Sequence, residues 1–132
     1  MEGSGGAGLR PHERLRTRGE YQQVFRRGIR VDGPLFLLVA APNGRGFCRL
    51  GLGLGRKLGT AVKRNRVKRL LRESFRRHKG AVTPAVDLVL LPKPAMLSCA
   101  LTEVEREYAE RLLAFVARRA QRRRRAGPSV SG

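Results

Sequence analysis

Residues 48–55 read CRLGLGLG. Successive strand residues point to opposite faces of a sheet. As a strand, this run places Leu50, Leu52 and Leu54 on one face and Gly51, Gly53 and Gly55 on the other. The leucine face requires a core. The glycine face is bare and lets another backbone or a ligand approach closely. A few residues on, the period changes. From about Ala61, Val67, Leu70, Leu71 and Phe75 recur at helical spacing, which predicts a helix to about His78. VDLVLL (86–91) then reads as a buried strand, stopped by PKP.

The remaining elements follow from caps and periodicity. Thr17 with Glu20 fits a capping box, in which each side chain satisfies a helix-end amide of the other. Tyr21, Val24 and Phe25 share a helical face behind it, and Gly28 is a stop, so a helix is predicted over 18–27. IRV (29–31) and LFLLVA (35–40) read as strands, and APNGRG (41–46) as a turn. Thr102 with Glu105 fits a second capping box. Val104, Tyr108, Leu112, Phe115 and Val116 form the apolar stripe of a third helix. The expected order is α-β-β-β-α-β-α, an α/β (α+β) two-layer sandwich without internal repeat. A single domain is assigned to 14–119. It lies between a Gly-rich, disordered N-terminal tail (1–13) and an Arg-rich, disordered C-terminal tail (120–132).

Charge limits what such a chain can bind. Its 132 residues carry 29 Lys and Arg against 10 Asp and Glu, a net charge of +19. That imbalance costs stability through self-repulsion, and a large polyanion relieves it. A membrane surface is the other anionic partner, but no apolar run approaches spanning length. The opening MEGSGGAG has neither a basic n-region nor an apolar h-region, so it is not read as a secretory signal, and a cytoplasmic location is expected. Twenty-four of the cations are arginine, whose planar fork pairs bidentately with phosphate and stacks on bases.

Signs of protein-borne catalysis are missing. His12 and His78 have no sequence partners for a triad and read as surface residues. Glu20 and Glu105 are assigned to caps. Glu73, Glu103, Glu107 and Glu110 fall on polar helix faces, while Asp32 and Asp87 are uncommitted but fit no metal pattern. Cys48 and Cys99 lack zinc spacing and read as free thiols. GLGLG lies in a strand rather than opening a helix, so it is no phosphate loop.

The basic motif is KRNRVKR (63–69). Lys63, Arg64 and Asn65 lie at or just before the first turn of their helix, and Lys68, Arg69, Arg72 and Arg76 point away from the core. Arg66 is at the edge. Cations at that end oppose the helix dipole, so local stability does not select them. A phosphate there would gain from free amides, dipole and cations together. The competing reading is a solvated helix face. Tyr21 and Phe25 fit a core stripe equally. Flanked by Arg14, Arg16, Arg18, Arg26, Arg27 and Arg30, they also fit a stacking platform for unpaired bases.

RLRTRGEYQQVFRRG (14–28), RLGLGLGRKLGTAVKRNRVKRLLRESF (49–75) and DLVLLPKPA (87–95) together resemble the protein component of bacterial ribonuclease P. The middle segment is similar to that family's RNR signature, here Arg64-Asn65-Arg66, and the likeness runs from about Arg14 to Phe115. It implies a ribosomal-protein-like fold with a left-handed βαβ crossover. It also implies a non-catalytic protein subunit of an endoribonuclease that hydrolyses a phosphodiester of precursor tRNA, removes the 5′ leader and leaves a 5′-phosphomonoester. The RNA subunit would be catalytic and would bind the Mg²⁺ together with the substrate; no organic cofactor is implied. The implied partners are that RNA and the single-stranded leader, with no membrane role. The protein would raise substrate affinity and lower the Mg²⁺ requirement.

By resemblance, Lys63, Arg64, Asn65, Arg66, Lys68, Arg69 and Arg72 bind RNA through the RNR helix. Arg56 and Lys57 match a basic pair before it. Tyr21 and Phe25, with Arg16 and Arg18, match the leader cleft, and Phe36 matches an aromatic strand position. Departures from the pattern are Val39 in place of a further cleft aromatic, Gly55 in place of a small hydroxyl residue, Pro92 in place of a cation, and the Arg-rich tail. A structural, ribosomal-type RNA-binding protein explains charge and size as well, but does not predict leader-specific binding. A DNA regulator would need a second short helix before residue 63, where a Gly-rich strand stands. A self-sufficient ribonuclease would cut RNA without an RNA partner.

Overall fold

A computed structural model describes residues 10–82 and 84–131, with side chains through Arg125. Its elements are α1 (Arg18–Arg27), β1 (Ile29–Asp32), β2 (Phe36–Pro42), β3 (Arg49–Leu52), α2 (Ala61–Arg77), β4 (Val86–Pro92) and α3 (Leu101–Ser131). The four strands form one sheet in the order β1-β2-β4-β3. Strands β1 and β2, and β2 and β4, pair antiparallel; β3 and β4 pair parallel, with α2 as the connection.

Period-two alternation gives the sheet two different faces. Phe36, Leu38, Ala40, Leu50, Leu88 and Leu90 bury one face against Val67, Leu71 and Phe75 of α2 and Val104, Tyr108, Leu112 and Phe115 of α3. Phe36, matched by resemblance to an aromatic strand position, is fully buried. On the opposite face Val39 and Val89 pack beneath Leu15 and Val24, with Tyr21 and Phe25 of α1 at the margin. Helix α1 thus adds to a sheet already covered by α2 and α3 on its other side. It leaves Leu37 and Leu91 half-buried.

The first capping box is present. Glu20 Oε1 accepts the Thr17 amide at 3.0 Å and the Arg16 amide at 2.6 Å, while Thr17 Oγ1 accepts the Glu20 amide at 3.1 Å. Glu20 also pairs with Arg49 (3.1 Å), and Arg49 binds Asp87 through two hydrogen bonds of 2.7 and 2.9 Å. This chain of charges joins α1 to β3 and β4. Asp87, expected to be uncommitted, is therefore buried and paired.

Several expectations need correction. Strand β3 stops at Leu52 instead of Gly55. The Gly53 amide still reaches the Leu90 carbonyl at 3.0 Å, but Pro92 has no N–H to carry the ladder further. The second capping box does not form. Helix α3 begins at Leu101, Glu103 Oε1 accepts the Ala100 amide at 2.8 Å, and Glu105 pairs with Arg77 of α2 and with His78 just after it. Glu107 is buried instead of lying on a polar face, and Val116 is exposed, since Phe115 one position earlier already faces the core. Uncommitted Asp32 bonds Lys93 at 2.8 Å.

Both tail boundaries also shift. Residues 1–9 of the expected N-terminal tail lie outside the described residues. Pro11–Glu13 forms a 3-10 turn, and buried Glu13 pairs with Lys79 at 2.7 Å. At the other end, the α3 backbone stays helical through Arg122, Arg123, Arg124 and Arg125 to Ser131, past the expected limit at 119.

Candidate nucleic-acid interface

A cleft of about 560 Å³ opens between the segment before α1, strand β3 and helix α2. Arg14, Leu15, Arg16, Tyr21, Leu50, Leu52, Lys68 and Arg72 line it. Four of these eight are cations and none is a carboxylate. Two parts of the chain deliver the cations, and α1 adds the ring. The Leu15 amide donates to the Leu50 carbonyl at 3.0 Å, which fixes Arg14 and Arg16 beside β3. Helix α1 contributes Tyr21. Helix α2 contributes Lys68 and Arg72, four residues apart and so on one face.

Tyr21 is held at both ends of its side chain. Its ring lies on Gly51, and its hydroxyl accepts the Leu52 amide at 3.3 Å. The bare glycine face read from the sequence is thus occupied, at Gly51, by this ring. At Gly53, Leu91 fills the equivalent space.

Among the described residues, Arg14, Lys68 and Arg72 form no ion pair. Burial holds the Arg72 guanidinium below its ordinary pKa, and the charge of Arg14 adds to the effect. Like charges gathered in a partly desolvated cleft repel one another. A phosphate placed there would relieve that repulsion and accept hydrogen bonds from both arginines.

The other expected site residues have separate positions. Lys63 is exposed in the first turn of α2, its amide capped by Thr60 Oγ1 at 3.3 Å. Asn65 and Arg69 are exposed as well, and Arg64 is half-buried one turn before Lys68 on the same row. Arg66 turns inward. Its guanidinium donates to the Leu97 carbonyl (3.3 Å) and the Cys99 carbonyl (2.6 Å), and so ties α2 to the segment entering α3. Arg56 and Lys57 lie exposed on a 3-10 turn anchored by buried Leu58. Gly55 precedes that turn without a side-chain cap.

Phe25 is half-buried beneath the Arg30 guanidinium, 5.8 Å from the ring centroid, and does not line the same cleft as Tyr21. Arg18 opens α1 and is exposed, also off the cleft. Val39 is completely buried under α1, so it offers no stacking surface. Arg14 was visible in the sequence only as one neighbouring cation among six, and its opposition to Arg72 across the cleft arises from the tertiary fold. No three of His, Cys, Asp and Glu among the described residues gather in a group that could hold a metal ion.

A family model described as Ribonuclease P matches residues 9–130. The ribonuclease P protein component of Syntrophus aciditrophicus is 39% identical over 99 residues, covering 75% of this chain and 83% of that relative. Its counterpart from Thermotoga maritima is 38% identical over 81 residues, 61% of this chain and 69% of the relative. The solved structure of the Thermotoga maritima RNase P protein superposes with a TM-score of 0.66 at 33% identity, covering 80% of this chain and 96% of that one. The Staphylococcus aureus RNase P protein superposes at 0.71 with 25% identity, over 77% and 94%. The cation-lined cleft beside an RNR helix therefore sits in a chain that belongs to the ribonuclease P protein-component family.

Proposed function

We propose that this protein subunit serves the removal of 5′ leaders from precursor tRNA by binding RNA at two places. The exposed cations of the RNR helix and the preceding turn, Arg56, Lys57, Lys63 and Arg69, together with half-buried Arg64, hold the RNA subunit. The cleft of Tyr21, Arg14, Arg16, Lys68 and Arg72 takes the single-stranded leader. The observation that carries this reading is the cleft itself, with four cations, no carboxylate and one aromatic ring held in place. Cations track the phosphates, and Tyr21 offers a stacking face to any base, so leader contact is sequence-tolerant.

The chain supplies no catalytic group in this reading. Glu13, Glu20, Asp32, Glu73, Asp87 and Glu105 are paired with Lys or Arg, which supports that assignment. The RNA subunit and the substrate hold the Mg²⁺. The protein contributes phosphate neutralisation and leader affinity, and so lowers the Mg²⁺ the RNA requires. The site of action is the cytoplasm; no helix among the described residues is long and apolar enough to cross a membrane.

The test compares leader-bearing precursor with mature tRNA. Tyr21→Ala in the assembled holoenzyme weakens the precursor by about tenfold or more, the scale of one lost base stack, and spares mature tRNA. Equal loss for both ligands contradicts the cleft assignment.

A further inference from the structure

The Arg-rich segment after residue 117 lies beyond the stretch from about Arg14 to Phe115 that carries the sequence resemblance, although the family model extends over it to residue 130, and it is built into this fold. Beyond Phe115, helix α3 places Arg119, Arg122 and Arg123 around one cavity with Arg27 at the end of α1. Ile29, Ala40, Pro42 and Phe115 floor this second cavity, of about 280 Å³, and the four arginines rim it. Arg119 belongs to the wall: it donates to the Pro84 carbonyl at 3.1 Å and lies over the Phe115 ring. Arg27, Arg122 and Arg123 are exposed and form no ion pair among the described residues.

This rim is continuous with α1. Phe25 lies under the Arg30 guanidinium. The Arg30 carbonyl in turn accepts from Arg118 Nη1 on α3. Starting at Tyr21, the surface therefore passes along Phe25, Arg30 and Arg27 to Arg122 and Arg123, around the edge strand β1. The RNR end of α2 lies elsewhere, held through Arg66 to the segment before α3. A row of unpaired arginines beginning at an aromatic platform fits one occupant, the phosphate backbone of a single strand leaving the Tyr21 cleft.

We propose that Arg27, Arg122 and Arg123 form a second grip on the precursor's leader, engaging nucleotides farther from the cleavage site than those held at Tyr21. The inference rests on the leader-cleft reading. It makes affinity depend on leader length in a way the cleft alone does not. The surface needs no particular base sequence, because its contacts are to phosphates.

The experiment uses holoenzyme assembled from the full chain and a ribonuclease P RNA. Fluorescent precursors carry leaders of about four and about sixteen nucleotides, the range covered by single-strand binding surfaces. The double variant Arg122→Ala/Arg123→Ala alters two exposed helical positions, and circular dichroism and RNA assembly confirm that it folds. The expected result is a loss of about tenfold for the long leader at low salt, with a log–log salt slope shallower by about 1.4 for two phosphates. Affinity for the short leader and for mature tRNA stays as in the wild type. Unchanged affinity for the long leader overturns the proposal. So does an equal loss with both leaders and mature tRNA, which would place these arginines on the RNA subunit or the tRNA body. Tyr21→Ala with the short leader tests the cleft separately: a loss there beside a length-independent Arg122/Arg123 result sinks this inference and leaves the cleft reading intact.

Discussion

Tyr21 lies so close to Gly51 that a Cβ on the glycine would stand 2.7 Å from the tyrosine ring. Only a glycine lets the ring lie this close to β3 while its hydroxyl accepts the Leu52 amide. In Gly51→Ala the ring, as the mobile partner, must swing out. The stability cost is about 1–3 kcal/mol, since the added methyl displaces the ring and breaks its hydroxyl's hydrogen bond. Affinity for leader-bearing precursor should fall about tenfold, with assembly on the RNA subunit unchanged, as measured by fluorescence titration beside thermal denaturation. A wild-type leader affinity in this variant would show that the ring's position is immaterial.

Arg64 and Arg66 of the RNR signature should separate in their effects. Arg66 donates to two backbone carbonyls ahead of α3, and hydrogen bonds from a charged donor contribute about 1.5–3 kcal/mol each when their loss strands a partner. Arg66→Ala should therefore lower the denaturation midpoint even without RNA. Arg64→Ala should leave the midpoint unchanged and weaken RNA-subunit binding. Denaturant titration of the free proteins distinguishes the two.

Arg72 is a cation placed against stability. Burial and the Arg14 charge both disfavour its charged form. Arg72→Met retains the stem and removes the charge, so the free protein should be as stable as wild type or more so. The same variant should weaken leader binding and make its salt slope shallower by about 0.7, one phosphate's share. A marked loss of stability would show that Arg72 serves the fold.

Glu20 sets an acid limit on the docking of α1. The Arg16 and Thr17 amides, and then Arg49, hold its carboxyl below the ordinary 4.5. A group whose folded pKa is depressed adds stability above its unfolded pKa and loses it as pH falls through the folded value. The difference in thermal midpoint between wild type and Glu20→Gln should thus be greatest near neutral pH and close progressively below about 4.5. A difference that grows on acidification would reverse the sign of this linkage.

Local patterns made α1, the strands and the core of α2 legible, because a cap or a period identifies each within a few residues. The limits of β3 and α3 were not. The T-x-x-E pattern at Thr102 matches a capping box, but the helix start was decided by Glu103 reaching back to Ala100. The site was half legible. Tyr21, Lys68 and Arg72 could be named, but nothing local shows that Lys68 and Arg72 turn toward Tyr21 while Arg66, two residues before Lys68, clamps carbonyls. Phe25 shares Tyr21's helical face yet lies outside its cleft. Such differences depend on how α2 crosses the sheet, and that is set by long-range packing.

The most direct test of the account is reconstitution. Purified protein is mixed with a bacterial ribonuclease P RNA and a leader-bearing precursor tRNA at Mg²⁺ too low for the RNA alone to cut. Accurate 5′ cleavage is expected only when protein and RNA are both present, with reduced stimulation by Tyr21→Ala. Cleavage by the protein alone, or salt-sensitive RNA binding without any stimulation, would contradict it.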